Sequence, residues 1–425
     1  MEKIINPARE CWAEMVKRPI QDNDELKKIC GAVFNEVQQK GDAALRKYTW
    51  YFDKARVDGL KVGRQEFDDS EALVPESLKE AIRFAASNIS AFHKKQLPGK
   101  CEYVNEQGFR CWQEVRGIDK VGLYVPGGSA PLFSSVLMLA IPARLAGCRD
   151  IILCTPPDSD GKINPVILWA ARYCGVERVY KLGGIQAIAA MTLGTESVPA
   201  VYKIFGPGNQ YVTAAKLLAA TYGVATDMPA GPSEVLVLAD NTAYPGFVAA
   251  DLLSQAEHGQ DSQVLLVTWC ADIVTKVEAE LAEQLERLPR KDIAREALKQ
   301  SRCIVFPDRQ TCMEFVNDYA PEHLIVCVND YQVFIPEIRN AGSVFLGNYS
   351  PESAGDYASG TNHTLPTNSF AKTYSGINMD AFVRKISFQE ITEKGLQFLA
   401  PAIMEMAEAE KLSAHRMAVQ IRIRR

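Results

Sequence analysis

Gln255 and His258 are the residues of this 425-residue chain whose types and spacing first suggest chemistry. They are three residues apart, so they share one face if the segment is helical. The stretch 245–257 predicts a helix, because a proline opens it, apolar residues follow, and Gly259 can end it. An amide carbonyl and an imidazole side by side supply half of a metal site. An isolated pair of this kind is more often the polar end of a helix. The positions of the remaining histidines are needed to choose between that interpretation and a metal site.

Further oxygen and nitrogen donors occur downstream. Asp356 lies within 352–363, whose glycines and small polar residues are typical of a loop that folds closely around a ligand. The alternative for its carboxylate is a local turn. Together with His415 near the C-terminus, Gln255, His258 and Asp356 form a mixed oxygen and nitrogen set suited to zinc, manganese or cobalt. The set contains no thiolate, so a structural zinc site is disfavoured.

Two pairs of candidate residues raise a problem of geometry. Glu322 and His323 are adjacent at the start of an apolar strand, and they can serve one site only at the edge of a loop. A surface glutamate beside a capped histidine is an equal alternative. Glu410 and His415 would lie ~140° apart on one continuous helix. A helix that starts or kinks between them, with Ser413 as its cap, would bring them closer.

The elements expected to position these residues are those of an α/β protein. The first 118 residues are mainly helical in pattern. After them, short apolar strands alternate with helical stretches, which predicts parallel sheets covered on both faces. Two such series predict two doubly wound, Rossmann-like domains. The expected parts are an N-terminal arm, 1–20; a first α/β domain with the metal and catalytic residues, 21–118 plus 235–376; a second α/β domain with the nucleotide loops, 119–234; and a small helical C-terminal tail, 377–425.

Three glycine-rich loops, 124–129, 183–186 and 205–209, each follow a predicted strand and open a helix. Such loops allow backbone N–H groups to approach a phosphate. None of them has the GxGxxG pattern, and no acidic residue stands at the ribose-binding distance. On their own they indicate a nucleotide only weakly. The residues alone therefore predict a metal-dependent α/β enzyme, with the use of a nucleotide left open.

Composition disfavours several other classes of protein. A net charge of −5 argues against a surface that binds nucleic acid or an anionic membrane. No stretch approaches the ~20 apolar residues of a membrane span, and the N-terminus lacks the apolar core of a signal peptide. The 11 cysteines have no CxxC pair and no regular spacing, which predicts reduced thiols and a cytoplasmic location.

Six ordered blocks, spread over essentially the whole chain, resemble the histidinol dehydrogenase family, which catalyses the last step of histidine biosynthesis. The blocks are VGLYVPGG at 121–128, GPGN at 206–209, AGPSE at 230–234, QAEHG at 255–259, PEH at 321–323 and GDYASGTNH at 355–363. The resemblance implies oxidation of L-histidinol to L-histidine in two hydride transfers. It also implies two NAD⁺ and one zinc ion per subunit, and a homodimer.

The resemblance further implies a role for each candidate residue. The roles are zinc binding by Gln255, His258, Asp356 and His415; acid–base catalysis by Glu322, which would activate water, and by His323, which would remove the hydroxyl proton; NAD contacts by Tyr124, Gln186 and Asn209; and substrate contacts by Ser233, His323, His363 and Glu410 together with the zinc ligands. In the family the C-terminal segment reaches the partner's active site. That arrangement would explain how two residues of the tail join a distant centre.

Three other functions fit part of the pattern. A related dehydrogenase acting on another small polar alcohol would be expected to alter the substrate anchors Ser233, His363 and Glu410, and all three match. A zinc hydrolase would use Glu322 to activate water without a nucleotide, and the glycine-rich loops count modestly against it. A metal-binding scaffold without catalysis would have no use for an adjacent acid–base pair.

Overall fold

The structure is a computed structural model, and it describes residues 1–18, 23–127, 131–229 and 231–424. Gly128, Ser129 and Ala230, which belong to the loops and blocks quoted above, lie outside the described residues. The strands are β1 Glu2–Ile5, β2 Cys101–Asn105, β3 Phe109–Gly117, β4 Lys120–Tyr124, β5 Asp150–Thr155, β6 Val179–Lys181, β7 Lys203–Phe205, β8 Ala225–Thr226, β9 Glu234–Ala239, β10 Gln263–Thr268, β11 Arg302–Val305, β12 His323–Cys327, β13 Ser343–Leu346 and β14 Val383–Ile391.

Helices connect most of these strands, as the alternation of patterns predicts. They are α1 Trp12–Met15, α2 Asn23–Lys40, α3 Asp42–Tyr48, α4 Arg64–Leu73, α5 Glu76–Lys95, α6 Phe133–Leu145, α7 Pro165–Tyr173, α8 Gly184–Leu193, α9 Gln210–Thr221, α10 Pro245–Ala256, α11 Ala271–Arg287, α12 Lys291–Lys299, α13 Arg309–Tyr319, α14 Glu352–Tyr357, α15 Glu393–Ala409 and α16 Ser413–Ile423. Among the helices described, none is both long enough and apolar enough to cross a bilayer.

The strands form three sheets. A six-stranded sheet has the order β1-β11-β10-β9-β12-β13, and a five-stranded sheet has the order β6-β5-β4-β7-β8. All the neighbouring strands in these two sheets are parallel. The third sheet, β14-β3-β2, is antiparallel. The predicted α/β class with two parallel sheets is confirmed, and the antiparallel sheet adds to it.

Helices cover both faces of the six-stranded sheet. Val235 and Val237 of β9 face a core built with α10, α11 and α12. The alternate residues, Leu236 and Leu238, face a second core that includes α1 and α13. Burial on both faces explains why β9 is a continuous apolar run and does not alternate apolar with polar residues.

The N-terminal helices cover the five-stranded sheet. Phe34 of α2 and Leu45 of α3 share a core with Ile152 of β5. Phe67 of α4 and Ile82 of α5 pack on the opposite face of the same sheet. The first domain expected from the sequence, 21–118 plus 235–376, includes these helices together with the six-stranded sheet. The faces of the six-stranded sheet are already covered by α1 and α10–α13. We therefore propose a changed division, in which the N-terminal helices α2–α5 belong to the second domain with the five-stranded sheet.

Both ends of the chain contribute a strand to a sheet. The N-terminal arm, 1–20, contains β1, which forms the edge of the six-stranded sheet, with Glu2 in register with Arg302. The tail 377–425 was expected to be helical, but β14 pairs with the whole of β3. Cross-strand contacts, such as the stack of Phe388 on Trp112 with ring centroids 5.4 Å apart, favour the strand. The paired residues of β14 and β3 are 266 to 282 positions apart, so no local pattern in the sequence indicates this strand.

The tail helix is interrupted where the candidate residues required it. α15 ends at Ala409 and α16 begins at Ser413. Lys411, between them, has a left-handed φ of 61°. Leu412 occupies the N-cap position of α16, so the expectation that Ser413 is the cap is wrong. Glu410 and His415 therefore do not lie on one continuous helix.

Candidate active site

The acid–base pair lies at the amino-terminal ends of two adjacent strands of the six-stranded sheet. β12 begins at His323, and β9, beside it, begins at Glu234. The register pairs His323 with Val235. Ligands of open α/β sheets usually bind beyond the carboxyl ends of the strands. The pair occupies the opposite edge of its sheet.

The backbone of Glu234 holds both members of the pair. Its N–H donates to Oε2 of Glu322 at 2.9 Å. Its carbonyl oxygen lies 3.1 Å from Nδ1 of His323 and accepts the ring hydrogen there. Glu322 precedes the strand and is not part of it, so the two side chains can face one site. The condition set by the sequence, that both residues lie at a loop edge, is met.

Burial sets the protonation of these residues. The His323 side chain is 5% exposed. Burial, followed by the nearby His258 and His363, lowers the pKa of His323 to about 3, so the ring is neutral at physiological pH. Burial raises the pKa of Glu322 well above its ordinary value, whereas the hydrogen bond from Glu234 N–H lowers it. A neutral imidazole with its hydrogen on Nδ1 leaves the lone pair of Nε2 available.

Gln255 and His258 lie where the sequence predicts, at the end of α10. The helix runs Pro245–Ala256, and His258 N–H bonds to the Gln255 carbonyl at 3.2 Å in a tight final turn. The side-chain amide of Gln255 is fully buried between the Glu352 carboxylate and the Glu234 N–H. With its nitrogen toward Glu352 Oε2 at 3.1 Å, its oxygen accepts from Glu234 at 3.1 Å. The opposite orientation, which presents the oxygen to the carboxylates, suits a cation between them.

Asp356 lies on a helix that the sequence analysis interpreted as a loop. α14 spans Glu352–Tyr357, so Glu352 and Asp356 are one turn apart and share a face. Ligand atoms of His323, Glu352 and Asp356 all lie within 4.8 Å of one another. Burial raises the pKa of Asp356 to about 7. Gly355 permits the helix here, because a side chain at that position would collide with the Phe345 ring.

His363 closes another side of the cluster. Its Nδ1 lies 2.9 Å from the backbone carbonyl of Asp356, and its Nε2 lies 3.1 Å from Oγ of Ser135. Ser135 belongs to α6, which follows the first strand of the five-stranded sheet, so this contact joins the two parallel sheets at the site. Ser233 immediately precedes β9 and lies at the same strand edge.

The two tail residues are not joined to the cluster within one chain. Glu410 and His415 are both exposed. Among the described residues, the group of mutually close metal-binding atoms contains His323, Glu352 and Asp356; neither His415 nor His258, which is also exposed, belongs to it. A single subunit thus presents an incomplete version of the expected ligand set.

The expected NAD residues surround a cavity of about 1180 Å³ beside the five-stranded sheet. Tyr124 and Asn209 line it, and the Tyr124 hydroxyl accepts from Gly184 N–H at 3.0 Å. Gln186 is fully buried, and its Nε2 donates to Oδ2 of Asp53 at 2.9 Å. Asp53 itself lines the cavity. The structure therefore brings two of the three residues to the cavity surface and places Gln186 behind it.

A buried ion pair holds the loop at Gly206. The Lys216 ammonium contacts the Asp227 carboxylate and donates to the Gly206 carbonyl at 3.0 Å. Oδ2 of Asp227 accepts from Gly206 N–H at 2.8 Å. Gly206 has a φ of +135° and lies so close to the Tyr124 backbone that a side chain would not fit. This loop carries Asn209 to the cavity.

Sequence reasoning missed several residues of the site. Glu352 could have been found, because its spacing of four from Asp356 is a helical signal. The contributions of Asp53, Ser135 and Glu234 depend on contacts between distant segments, for which the sequence holds no spacing signal.

Comparisons with known proteins identify the family of this chain. The histidinol dehydrogenase family model matches residues 16–423. The histidinol dehydrogenases of Bacteroides thetaiotaomicron and Bacteroides fragilis are 53% and 54% identical over 423 residues, covering 100% of this chain and 99% of each relative. The crystal structure of histidinol dehydrogenase from Elizabethkingia anophelis has a TM-score of 0.97 and 54% identity, covering 100% of this chain and 98% of that chain.

A more distant likeness extends to the fold alone. An acetylating aldehyde dehydrogenase from Geobacillus thermoglucosidasius is 14% identical, with a TM-score of 0.50 over 91% of this chain and 94% of that chain. The full-length relatives and the matched model are far more specific than this. The chain belongs to the histidinol dehydrogenase family.

Proposed function

We propose that this protein oxidises L-histidinol to L-histidine through the aldehyde, using NAD and one zinc ion per subunit. The observation that carries the proposal is the placement of the Glu322–His323 pair beside the donors of Asp356 and Gln255. A carboxylate and a neutral imidazole, both buried and both aimed at one cluster, suit repeated proton removal from a bound substrate. A scaffold that only binds metal would not need them.

The donor set fits a zinc ion. Ligand atoms of Asp356 and Glu352 lie within 4.8 Å of each other, and the Gln255 amide contacts the Glu352 carboxylate. Gln255, His258 and Asp356 offer oxygen and nitrogen donors that borderline metals prefer. These three, with the partner subunit's His415, would hold the ion. When bound, zinc supplies positive charge beside the reacting oxygen and fixes the substrate's amine and hydroxyl.

His323 acts first in this proposal. Because Nδ1 is occupied by the Glu234 carbonyl, Nε2 accepts the proton of the substrate hydroxyl as a hydride leaves the carbinol carbon. The carbinol thus loses two electrons and becomes the aldehyde. Tyr124 and Asn209 line the cavity that would hold the dinucleotide, which would serve as the hydride acceptor.

Glu322 acts in the second half of the reaction. Its carboxylate takes a proton from water as the oxygen of that water adds to the aldehyde carbon. His323 releases its first proton to solvent between the two halves. The resulting hydrate anion then loses a second hydride to a second NAD⁺, and His323 again removes the hydroxyl proton, which leaves the carboxylate product. Retention of the aldehyde between the two halves prevents escape of a reactive intermediate.

Ser233, His363 and Glu410 are the proposed polar anchors of the substrate, and the working unit is a cytoplasmic homodimer. Exposed apolar side chains on the tail support a contact with a second subunit: Phe398 is 56% exposed, Met406 64% and Met417 55%. The partner subunit's Glu410 would reach the same site as the partner subunit's His415. Neither nucleic acid nor a membrane has a part in the proposal.

The stoichiometry of the reaction tests the proposal. Purified protein with zinc, L-histidinol and NAD⁺ is expected to yield two NADH for each substrate consumed, with histidine as the product. One NADH with accumulated aldehyde would contradict the four-electron reaction, and hydrolysis without NADH would favour a zinc hydrolase. The His323→Asn variant is expected to keep its zinc and lose most turnover, whereas loss of zinc would contradict the role given to His323.

A further inference from the structure

Arg18 lies buried at the centre of a network that begins outside the active site. It follows α1, near the N-terminus, and its side chain is 1% exposed. Its Nε donates to Oε1 of Glu234 at 3.0 Å, and its Nη2 donates to Oε2 at 2.7 Å. This is the bidentate geometry in which a guanidinium binds a carboxylate most specifically.

The remaining hydrogens of the guanidinium are also used. Nη2 donates to the Tyr319 carbonyl at 2.9 Å, and Nη1 donates to Oγ of Ser369 at 2.8 Å and to the Val16 carbonyl at 2.6 Å. The guanidinium carbon lies 3.5 Å above the centre of the Tyr319 ring. A fully satisfied buried ion pair tolerates little displacement, because removal of one partner leaves the other charge buried and unpaired. Arg18 therefore fixes the position of the Glu234 side chain.

Glu234 transmits that position to the acid–base pair through its backbone. The same residue whose carboxylate binds Arg18 donates its N–H to Glu322 and accepts from Nδ1 of His323. Of the metal donors, Asp356 lies on α14, apart from the segment of Arg18. Gln255 of α10 accepts from Glu234 N–H only when its amide nitrogen faces Glu352, and not when its oxygen is turned toward a cation. The cavity near Tyr124 borders the other sheet. The network thus reaches the acid–base pair without including the dinucleotide cavity.

We propose that Arg18 is a positioning residue for the reaction: through Glu234 it orients the Glu322 carboxylate and keeps the ring hydrogen of His323 on Nδ1. The inference rests on the proposed function. Loss of the bidentate contact should displace the start of β9 and misorient both catalytic groups. Misplacement of a catalytic group by about 1 Å can cost roughly 100-fold in rate.

The test compares Arg18→Met and Arg18→Lys with Arg9→Met. Arg9 is a matched control from the same N-terminal segment, where it forms an exposed ion pair with Glu314 and lies 4.8 Å from the Trp12 ring. Arg18→Met is expected to lower kcat by ~10- to 100-fold, with zinc content and the KM for NAD within about twofold of wild type. Arg18→Lys should recover only part of kcat, since one ammonium cannot replace the bidentate fork. Arg9→Met should match wild type.

Wild-type kcat in Arg18→Lys would overturn the inference, as would a loss of zinc or of NAD affinity in proportion to kcat. If Arg18→Met fails to fold, Arg18→Lys, which keeps the charge, decides the matter. The double variant Arg18→Met/Glu234→Gln should lose no more kcat than Arg18→Met alone, and additive losses would contradict action through Glu234. Absence of wild-type turnover on L-histidinol would instead reject the proposed function and the inference together.

Discussion

Gln186 and Asp53 are 133 residues apart in the chain, yet Nε2 of Gln186 donates to Oδ2 of Asp53 at 2.9 Å. The bond joins the end of a helical turn in the N-terminal region to α8, beneath the cavity proposed for the dinucleotide. Gln186 acts there as a buried support, and Asp53 is the member of the pair that reaches the cavity surface. Burial raises the pKa of Asp53 to about 6, against the opposing effect of hydrogen bonds from Gly183 and Gln186.

The raised pKa of Asp53 predicts that its ionisation lowers the free energy of unfolding as the pH rises. Between its unfolded value of 3.8 and about 6, the folded chain keeps a proton that the unfolded chain has released, so stability falls as pH rises through this window. Asp53→Asn removes this ionisation. We expect the free energy of unfolding of the variant, relative to wild type, to improve by about 2 kcal/mol from about pH 4 to about pH 7. Urea unfolding at a series of pH values measures it, and a constant difference would contradict the burial argument.

Replacement of Glu352 by glutamine should stabilise the metal-free protein and weaken zinc binding. Burial, followed by the charges of Asp356, Glu322 and Asp251, raises the pKa of Glu352 well above its ordinary value. Glu352→Gln should therefore stabilise the metal-free protein at neutral pH. The same change removes a carboxylate that contacts Gln255, so the dissociation constant for zinc should rise ~10- to 100-fold.

Thermal unfolding after chelation and a competitive zinc titration measure these two effects of Glu352→Gln. Glu296→Gln is the matched control, because the Glu296 side chain on α12 is 46% exposed and pairs with Lys299 one turn away. Destabilisation of the metal-free variant, or unchanged zinc affinity, would show that the carboxylate has a different role.

Mixed dimers test whether the tail completes the partner's site. His415→Asn and Glu322→Gln homodimers should each be nearly inactive. If active sites are shared, a heterodimer of the two variants has one site with both native residues. Equal mixing after dissociation and reassociation should then restore about a quarter of wild-type activity, since half of the dimers carry one intact site of two. No recovery, with heterodimers shown to form, would place His415 in its own subunit's site.

Much of this fold could be predicted from local patterns. The helix α7 begins at Pro165, and α10 begins at Pro245, as the proline and the apolar spacing indicate. The buried parallel strands follow from apolar runs such as Val235–Leu238. The strand β14 could not be predicted, because its pairing with β3 depends on a segment distant in the chain. The short helix α14 was hidden by glycines that usually mark loops.

The site was predictable to the extent that spacing carries chemistry. Gln255 lies in the last turn of α10, as the pattern predicts, whereas His258 lies beyond the end of the helix and is exposed. Glu322 and His323 meet at one edge, where both bond to the backbone of Glu234. The network that holds them was not predictable, because Arg18 and Glu234 are 216 residues apart and show no shared pattern. In this chain, candidate chemical groups are local in sequence, whereas the contacts that orient them are not.

The nine-residue pairing of β14 with β3 has a consequence for assembly. Val383 pairs with Gly117 and Ile391 with Phe109, so the base of the tail is ordered within its own subunit. Because the base of the tail is already ordered, its association with a second subunit would cost little further conformational entropy. We therefore expect chelation of the metal to abolish turnover while the subunits stay associated.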